Sequence, residues 1–470
     1  MRRLVIVSNR LPQRQRVDGD EARKVPAGGL ATVLRSALKS WPGSLWMGWD
    51  GSTGSSHALE LVTEEKLDGI SIVGVPLTPH EVSAYYRNMC NEVLWPLFHG
   101  FLGRVKPERR NAECYRQVNA RFARILAPRL TSGDVVWIHD YHLLCAGQEL
   151  RKAGWDGPIG FYLHIPFPAA EFWEVLPDPV GLLQAMQSYD VVGFQTNLSA
   201  DNYRACCARL LGSRTEERRL SKGGQAQLVG TYPVGIEPED FTGSALRAAP
   251  IVARGDLARI VRGRRLILGV DRLDYTKGIP ERILAFERLI GEHPEWRKKV
   301  SFIQIASPTR ERVAGYTELK QSVDHLVGRV NGDLAHHDWV PIRYLYRTYP
   351  QHALARFYRD ADVGLVTPLR DGMNLIAKEF VAAQNPQTPG VLVLSRFAGA
   401  AEELREAVIV NPFIPSDTAD GIARALAMPL DERRQRHEAL MRRVSRGTAT
   451  AWSQRYLEDL VEAARKRKTA

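Results

Sequence analysis

At 470 residues the chain is too long for one hydrophobic core, and two domains of roughly 200 residues are the natural division. Apolar residues make up 44%, ordinary for a globular protein, and runs such as 265–270 and 391–394 are strand-sized, far short of the ~18 residues a membrane helix needs. The net charge of +11 favours anionic small molecules; the positives are dispersed and carry no interleaved aromatics, which argues against nucleic acid as a partner.

The N-terminus is apolar only from Leu4 to Val7 before Asn9 and Arg10, so no signal peptide and no membrane association are expected, and the cytoplasm is the expected compartment. Five cysteines, Cys90, Cys114, Cys145, Cys206 and Cys207, fit neither a disulfide framework nor a zinc site and read as incidental thiols.

In chain order, Leu4–Ser8 reads as a buried strand. A polar loop, the turn Ala27-Gly28-Gly29-Leu30 and a helix with apolar spacing over Leu30–Leu38 follow. Strands at Val135–Ile138, Ile159–Leu163 and Val191–Phe194 each end in polar groups, namely His139-Asp140-Tyr141-His142, His164 and Gln195-Thr196. In parallel sheets ligands gather at that edge. The pattern restarts after Gly235. A polar, basic connection over 241–264 leads to a strand at Leu266–Val270 and a helix at Pro280–Leu289. Strands at Phe302–Ala306, Val363–Thr367 and Leu392–Ser395 follow, with a helix at Leu375–Ala383, and the chain from Pro429 onward reads as largely helical. Two open α/β sheets facing across a cleft follow, with domains 1–235 and 236–450 and a tail 451–470 returning to the first.

Two segments of the second half carry the chemistry. In Asp271-Arg272-Leu273-Asp274-Tyr275-Thr276-Lys277-Gly278, two cations follow a strand, and Gly278 permits a tight approach. Both can reach one diphosphate, the arginine as a fork and the lysine as a point charge, and fixed cations there stabilise a departing diphosphate. The competing reading is a pair of local salt bridges to Asp271 and Asp274. In Asp371-Gly372-Met373-Asn374, backbone amides before a helix suit anions or sugar oxygens, Asp371 can accept from sugar hydroxyls, and Glu379 can accept from ribose hydroxyls. Otherwise Asp371 is a helix cap, Glu379 an exposed helix residue and Met373 packing.

In the first half, Gly28 and Arg10 can close on phosphate, and Arg310 in the second half is a further phosphate candidate. Asp140 is placed to orient an acceptor hydroxyl, and His164, in a rigid Pro-flanked loop, to contact the transferred sugar. His139 and His142 lack a third ligand at clear spacing, so no metal site is expected. Among Trp46, Trp49, Tyr85, Tyr86 and Trp95, whose rings suit sugar faces, Tyr86 and Trp95 are the preferred ligands.

These segments, with Leu94-Trp95-Pro96-Leu97-Phe98-His99, His164-Ile165-Pro166-Phe167-Pro168, Pro233-Val234-Gly235-Ile236 and Thr367–Leu375, resemble the trehalose-6-phosphate synthases, the retaining glycosyltransferase family 20, over nearly the whole chain. The resemblance implies the glycosyltransferase B fold, two Rossmann-like domains facing across a deep cleft. It implies glucosyl transfer from a nucleoside-diphosphate glucose, UDP-glucose first with GDP- and ADP-glucose open, to glucose 6-phosphate. It assigns Arg272 and Lys277 to the donor diphosphate, Asp371 and His164 to donor glucose and Glu379 to ribose. Gly28, Gly372, Met373 and Asn374 complete the donor site. Asp140 addresses the reacting sugars, and Arg10, Tyr86, Trp95 and Arg310 the acceptor, giving a catalytic set of Asp140, His164, Arg272 and Lys277. A front-face mechanism, in which the leaving diphosphate helps deprotonate the acceptor, needs no cofactor and no divalent metal. A homo-oligomer is compatible with it. The rivals are a synthase acting on glycerol 3-phosphate and a nucleotide-sugar sensor without turnover.

Overall fold

In a computed structural model the chain divides into two compact units, Met1–Pro233 with Ala449–Ala470, and Val234–Thr448. The structure describes residues 3–11, 33–35, 37, 38, 41, 43–55, 62–67, 69–222, 225–247, 261, 263–310 and 313–469. The Gly28 turn and most of the connection after residue 247 lie outside the described residues. The connection's described part begins with a helix, Pro238–Arg247.

The first unit is built on strands β1 (Leu4–Arg10), β2 (Leu45–Thr53), β3 (Thr63–Leu67), β4 (Ile70–Leu77), β5 (Val135–His139), β6 (Ile159–Tyr162), β7 (Val191–Phe194), β8 (Arg214–Glu216), β9 (Arg219–Lys222) and β10 (Gln225–Thr231). They form one sheet in the order β3-β4-β2-β1-β5-β6-β7-β10-β9-β8. The centre is parallel, and β3, β9 and β8 make antiparallel edges. The sequences of β1 and β5 are nearly continuous apolar runs because both faces are covered, as parallel strands require. From β1 the chain passes to β2 on one side, while β5 lies on the other. The carboxyl ends of β1 and β5 therefore flank a topological switch point, where such sheets bind ligands.

The closing helix Ala449–Thr469 belongs to this unit. Trp137 of β5 stacks on Tyr456 at 4.6 Å and meets Trp452 at 4.8 Å, while the Tyr456 hydroxyl donates to the Phe161 carbonyl at 2.9 Å. The apolar face of Trp452–Ala464 thus has a partner in the first sheet.

The second unit has β11 (Arg265–Arg272), β12 (Val300–Ser307), β13 (Ile342–Tyr346), β14 (Val363–Val366), β15 (Val391–Ser395) and β16 (Val408–Val410). Their order is β13-β12-β11-β14-β15-β16, with every pairing parallel. Here the switch point lies between β11 and β14. Among the described residues no helix is long and apolar enough to cross a membrane.

Candidate active site

The two chemistry-bearing segments of the second unit leave β11 and β14, so the topology alone brings them to one point. Gly278 shows how tightly. Its φ is +64°, and a Cβ there would lie 2.5 Å from the Thr367 carbonyl oxygen, so the loop closes only around a glycine. The Thr276 carbonyl accepts from the Leu369 amide at 2.8 Å, which stitches the loops together. Pro280 then opens the helix Ile279–Glu292 in its first turn.

Across this junction the Lys277 ammonium donates to the Asp371 carboxylate in a short ion pair, and Asn374 Nδ2 donates to the same carboxylate at 3.0 Å. Asp371 is therefore not the helix cap. Asn374, in the left-handed region at φ 78°, occupies that position before Leu375–Ala383. The Asp371 amide donates to the Phe397 carbonyl at 3.1 Å and the Ala400 amide to the Met373 carbonyl at 2.8 Å, so part of the loop's backbone is held by the segment after β15. Gly372 and Met373 are buried in it.

The local salt bridges expected of Asp271 and Asp274 do not form with Lys277. Asp271 pairs with Arg282 at 2.8 Å, both buried, and Arg282 also donates to Thr367 Oγ1 and Gln304 Oε1, each at 3.0 Å. Burial raises the Asp271 pKa, and Arg282 pulls it back. Asp274 accepts from Arg310 at 3.2 Å, from Tyr316 at 3.0 Å and from Thr276 Oγ1 at 3.0 Å. Burial alone would lift its pKa too, but Arg310, Arg272 and Lys277 outweigh it and hold the carboxylate below its usual range. Arg272 ends β11 and is exposed. Glu379 is half-buried rather than exposed, and Tyr358 donates to its Oε2 at 3.1 Å. Burial pushes its pKa up to about 7, and the tyrosine hydrogen bond partly opposes this.

In the first unit Arg10 sits at the carboxyl end of β1, where the pairing with β2 shifts register. Such an irregularity re-aims a side chain. Its guanidinium lies over the Trp49 ring, 4.4 Å from the centroid. Trp49 meets Tyr86 edge-on at 5.2 Å, and Tyr86 stacks on His142 at 6.1 Å. Trp95 is buried between His99 (4.3 Å) and Tyr141 (5.8 Å). Trp46 and Tyr85 are core: their polar atoms bond Ser8 and Asn9, each at 2.8 Å.

Asp140, the first residue after β5, holds φ 74°, a strained conformation for a residue with a Cβ. The Leu143 amide donates to its carbonyl (3.1 Å) and the His164 amide to its Oδ1 (3.2 Å), which ties the ends of β5 and β6 together. His164 Nε2 and His139 Nδ1 lie 3.1 Å apart. Burial drops the His164 pKa to about 3; burial and then His164 push His139 well below its usual value, so both rings are neutral.

The structure thus gathers Lys277, Asp371 and Asn374 directly, with Arg272, Asp274 and Arg310 around the same loop. In the first unit it gathers Arg10, Tyr86, Asp140 and His164 around one sheet edge. Sequence reasoning missed Arg282, Tyr358 and Trp49's contact with Arg10. Arg282 and Tyr358 lie on helices whose apolar spacing hides a buried polar tip. All five cysteines are buried and free. His336, His337 and Asp338 bring ligand atoms within 4.8 Å of one another, but they are exposed, and Asp338 also receives Arg264.

Two Rossmann-like α/β domains, the second with cations and carboxylates at its switch point, define a glycosyltransferase of the B fold. The chain belongs to glycosyltransferase family 20, whose model matches residues 2–462. It is similar to a trehalose-6-phosphate synthase of Sinorhizobium fredii, 42% identical over 461 residues that cover 98% of each chain. A crystal structure of a UDP-forming α,α-trehalose-phosphate synthase from Burkholderia vietnamiensis matches with a TM-score of 0.93 at 40% identity, covering 99% of this chain and 98% of that one. Another, from Burkholderia xenovorans in complex with glucose-6-phosphate, matches at 0.89 and 39%, covering 97% and 99%.

Proposed function

We propose that the protein transfers glucose from UDP-glucose to the anomeric hydroxyl of glucose 6-phosphate, with retention, giving α,α-trehalose 6-phosphate and UDP. The observation that carries this is the Lys277–Asp371–Asn374 junction at the β11/β14 switch point. A cation suited to a diphosphate and a carboxylate suited to sugar hydroxyls meet there.

In this reading Arg272 and Lys277 neutralise the diphosphate as the bond from C1 to its oxygen breaks. Asp371 and the Gly372–Asn374 backbone hold donor glucose, and Glu379 the ribose. Gly28 helps to close the donor site. The acceptor hydroxyl forms the new bond to C1 on the same face, and its proton passes to the departing diphosphate oxygen. His164, neutral and therefore able both to donate and to accept, contacts donor glucose. Asp140 orients the reacting sugars. Arg10, Tyr86 and Arg310 take the acceptor phosphate, and Trp95 lines the acceptor sugar. Both substrates are phosphorylated metabolites, so the cytoplasm is the compartment we propose.

The test is a panel of UDP-, GDP- and ADP-glucose against glucose 6-phosphate and glycerol 3-phosphate, with product linkage read by NMR. An α,α-1,1-linked disaccharide phosphate formed fastest from UDP-glucose is expected. Preference for glycerol 3-phosphate would overturn the acceptor assignment, and UDP-glucose binding without turnover would overturn catalysis.

A further inference from the structure

Glu379 differs from the three aspartates at the β11/β14 switch point. Asp271, Asp274 and Asp371 each face a cation, whereas Glu379 forms no ion pair among the described residues. Its neighbour Lys378 does not serve it: that ammonium donates to Glu403 at 2.6 Å and to the Val234 carbonyl at 2.8 Å. The polar partner of Glu379 is the hydroxyl of Tyr358, a residue 1% exposed on the helix Gln351–Asp360.

We propose that Tyr358 is a positioning residue for the nucleotide: its hydroxyl fixes the Glu379 carboxylate through one oxygen and leaves the other to receive a ribose hydroxyl. This rests on the reading that Glu379 binds ribose. A carboxylate has about four acceptor sites on its two oxygens, and one tyrosine hydroxyl occupies one of them. A cationic partner would lock the group in an ion pair and compete with a neutral hydroxyl. A neutral donor orients the carboxylate and keeps its acceptor strength available. For stability alone a half-buried carboxylate without a cation is a poor choice, since taking its charge out of water is costly.

The hydroxyl is held where it can do this. The Tyr358 carbonyl accepts from Gln384 Nε2, and Arg359 donates to the carbonyls of Ala383 and Gln384 at 3.3 and 3.4 Å. The C-terminal end of Gln351–Asp360 is thereby clamped to that of Leu375–Ala383, which fixes the register of the two side chains. Several ionisable groups on this helix and on the elements around it are engaged elsewhere. Arg359 is on those carbonyls, Lys378 on Glu403, His437 on the Val381 carbonyl at 3.1 Å and Asp271 on Arg282. The helix Pro238–Arg247 contributes Thr242, bonded to the Ala382 carbonyl at 2.8 Å. Burial raises the carboxylate's pKa, and the Tyr358 hydrogen bond opposes that rise in part.

The experiment is calorimetric titration of UDP into wild type, Tyr358→Phe, Glu379→Ala and the double variant between about pH 6 and about pH 9, with steady-state kinetics alongside. Phenylalanine keeps the ring and its packing. Tyr358→Phe is expected to weaken UDP about fivefold to tenfold, to raise donor KM similarly while kcat changes less than about twofold, and to move the acid loss of affinity to higher pH. In the Glu379→Ala background the same substitution should change nothing. Wild-type affinity and pH dependence in Tyr358→Phe, with Glu379→Ala weakened, overturns the inference alone. An equal further loss in the double variant marks a packing role and also overturns it. Wild-type affinity in Glu379→Ala overturns the ribose reading and the inference with it.

Discussion

The two switch points share a strand order and almost nothing else. Between β1 and β5 the polar groups are an arginine over an indole ring, a tyrosine stacked on a histidine, the Asp140 carboxylate and two imidazoles that burial keeps neutral. Between β11 and β14 three carboxylates and three cations are cross-paired as Asp271–Arg282, Asp274–Arg310 and Asp371–Lys277. Topology decides where a ligand can go, and the side chains at that edge decide which ligand it is. On the proposed reading, the first set offers aromatic faces to a sugar and the Arg10 guanidinium to its phosphate. The second offers cations already paired with carboxylates, so on the proposed reading an arriving diphosphate would exchange one anion for another instead of meeting a bare, costly positive site.

Charge removal should therefore hurt unequally. Lys277→Ala is expected to lower kcat/KM for the donor about a hundredfold to a thousandfold, the range for losing one group that meets developing negative charge. Arg10→Ala should chiefly raise KM for glucose 6-phosphate. Initial rates with each substrate varied in turn separate the two, and donor efficiency at the wild-type level in Lys277→Ala would break the comparison outright.

The next effect is on stability. Arg282→Ala leaves Asp271, Gln304 and Thr367 buried without their shared donor. Losing one partner of a buried pair costs about 3 kcal/mol or more. The melting temperature should therefore fall clearly. A melt for Arg282→Ala within a degree or so of wild type would show that the paired network is not structural.

How much of this the sequence discloses follows from physical range. Strands β1, β5, β11 and β14 are legible because each is a short apolar run closed by polar residues, and so are the Asp271–Gly278 and Arg370–Asn374 loops, whose residue types state their chemistry. Strand β13, IRYLY, is less so: all but one of its residues are half-exposed, which blurs its pattern, and β16 has only three residues. Pairings are hidden for another reason. Asp271 lies six residues from Lys277, yet its partner is Arg282, one helical turn into the following helix, and Lys277 reaches Asp371 instead. Local sequence favours the nearest opposite charge, whereas the parallel register of β11 and β14 decides the contact. Tyr358 was invisible because a tyrosine on the apolar face of a helix reads as core, and its ring is core; only its hydroxyl belongs to the site.

The smallest expected effect sharpens the comparison inside the second unit, where two carboxylates carry opposite shifts. Glu379 has its pKa raised from 4.5 to about 7 by burial, so folding favours its neutral form. Its contribution to stability is full below the unfolded value and is lost as pH rises through about 7. Asp274 is the reverse: its depressed pKa stabilises the fold above the unfolded value, and that contribution is lost as pH falls through the folded one. Glu379→Gln should therefore raise the melting temperature of the ligand-free protein at about pH 8, by on the order of 1–2 kcal/mol of stability, and change it little at about pH 5. Asp274→Asn should lower it more at pH 8 than in acid. Should Glu379→Gln lose stability equally at both pH values, the carboxylate would be contributing to the fold as an ordinary hydrogen-bonded group. The distinction between charges that hold this lobe together and a charge kept for the ligand would then fail at its most exposed point.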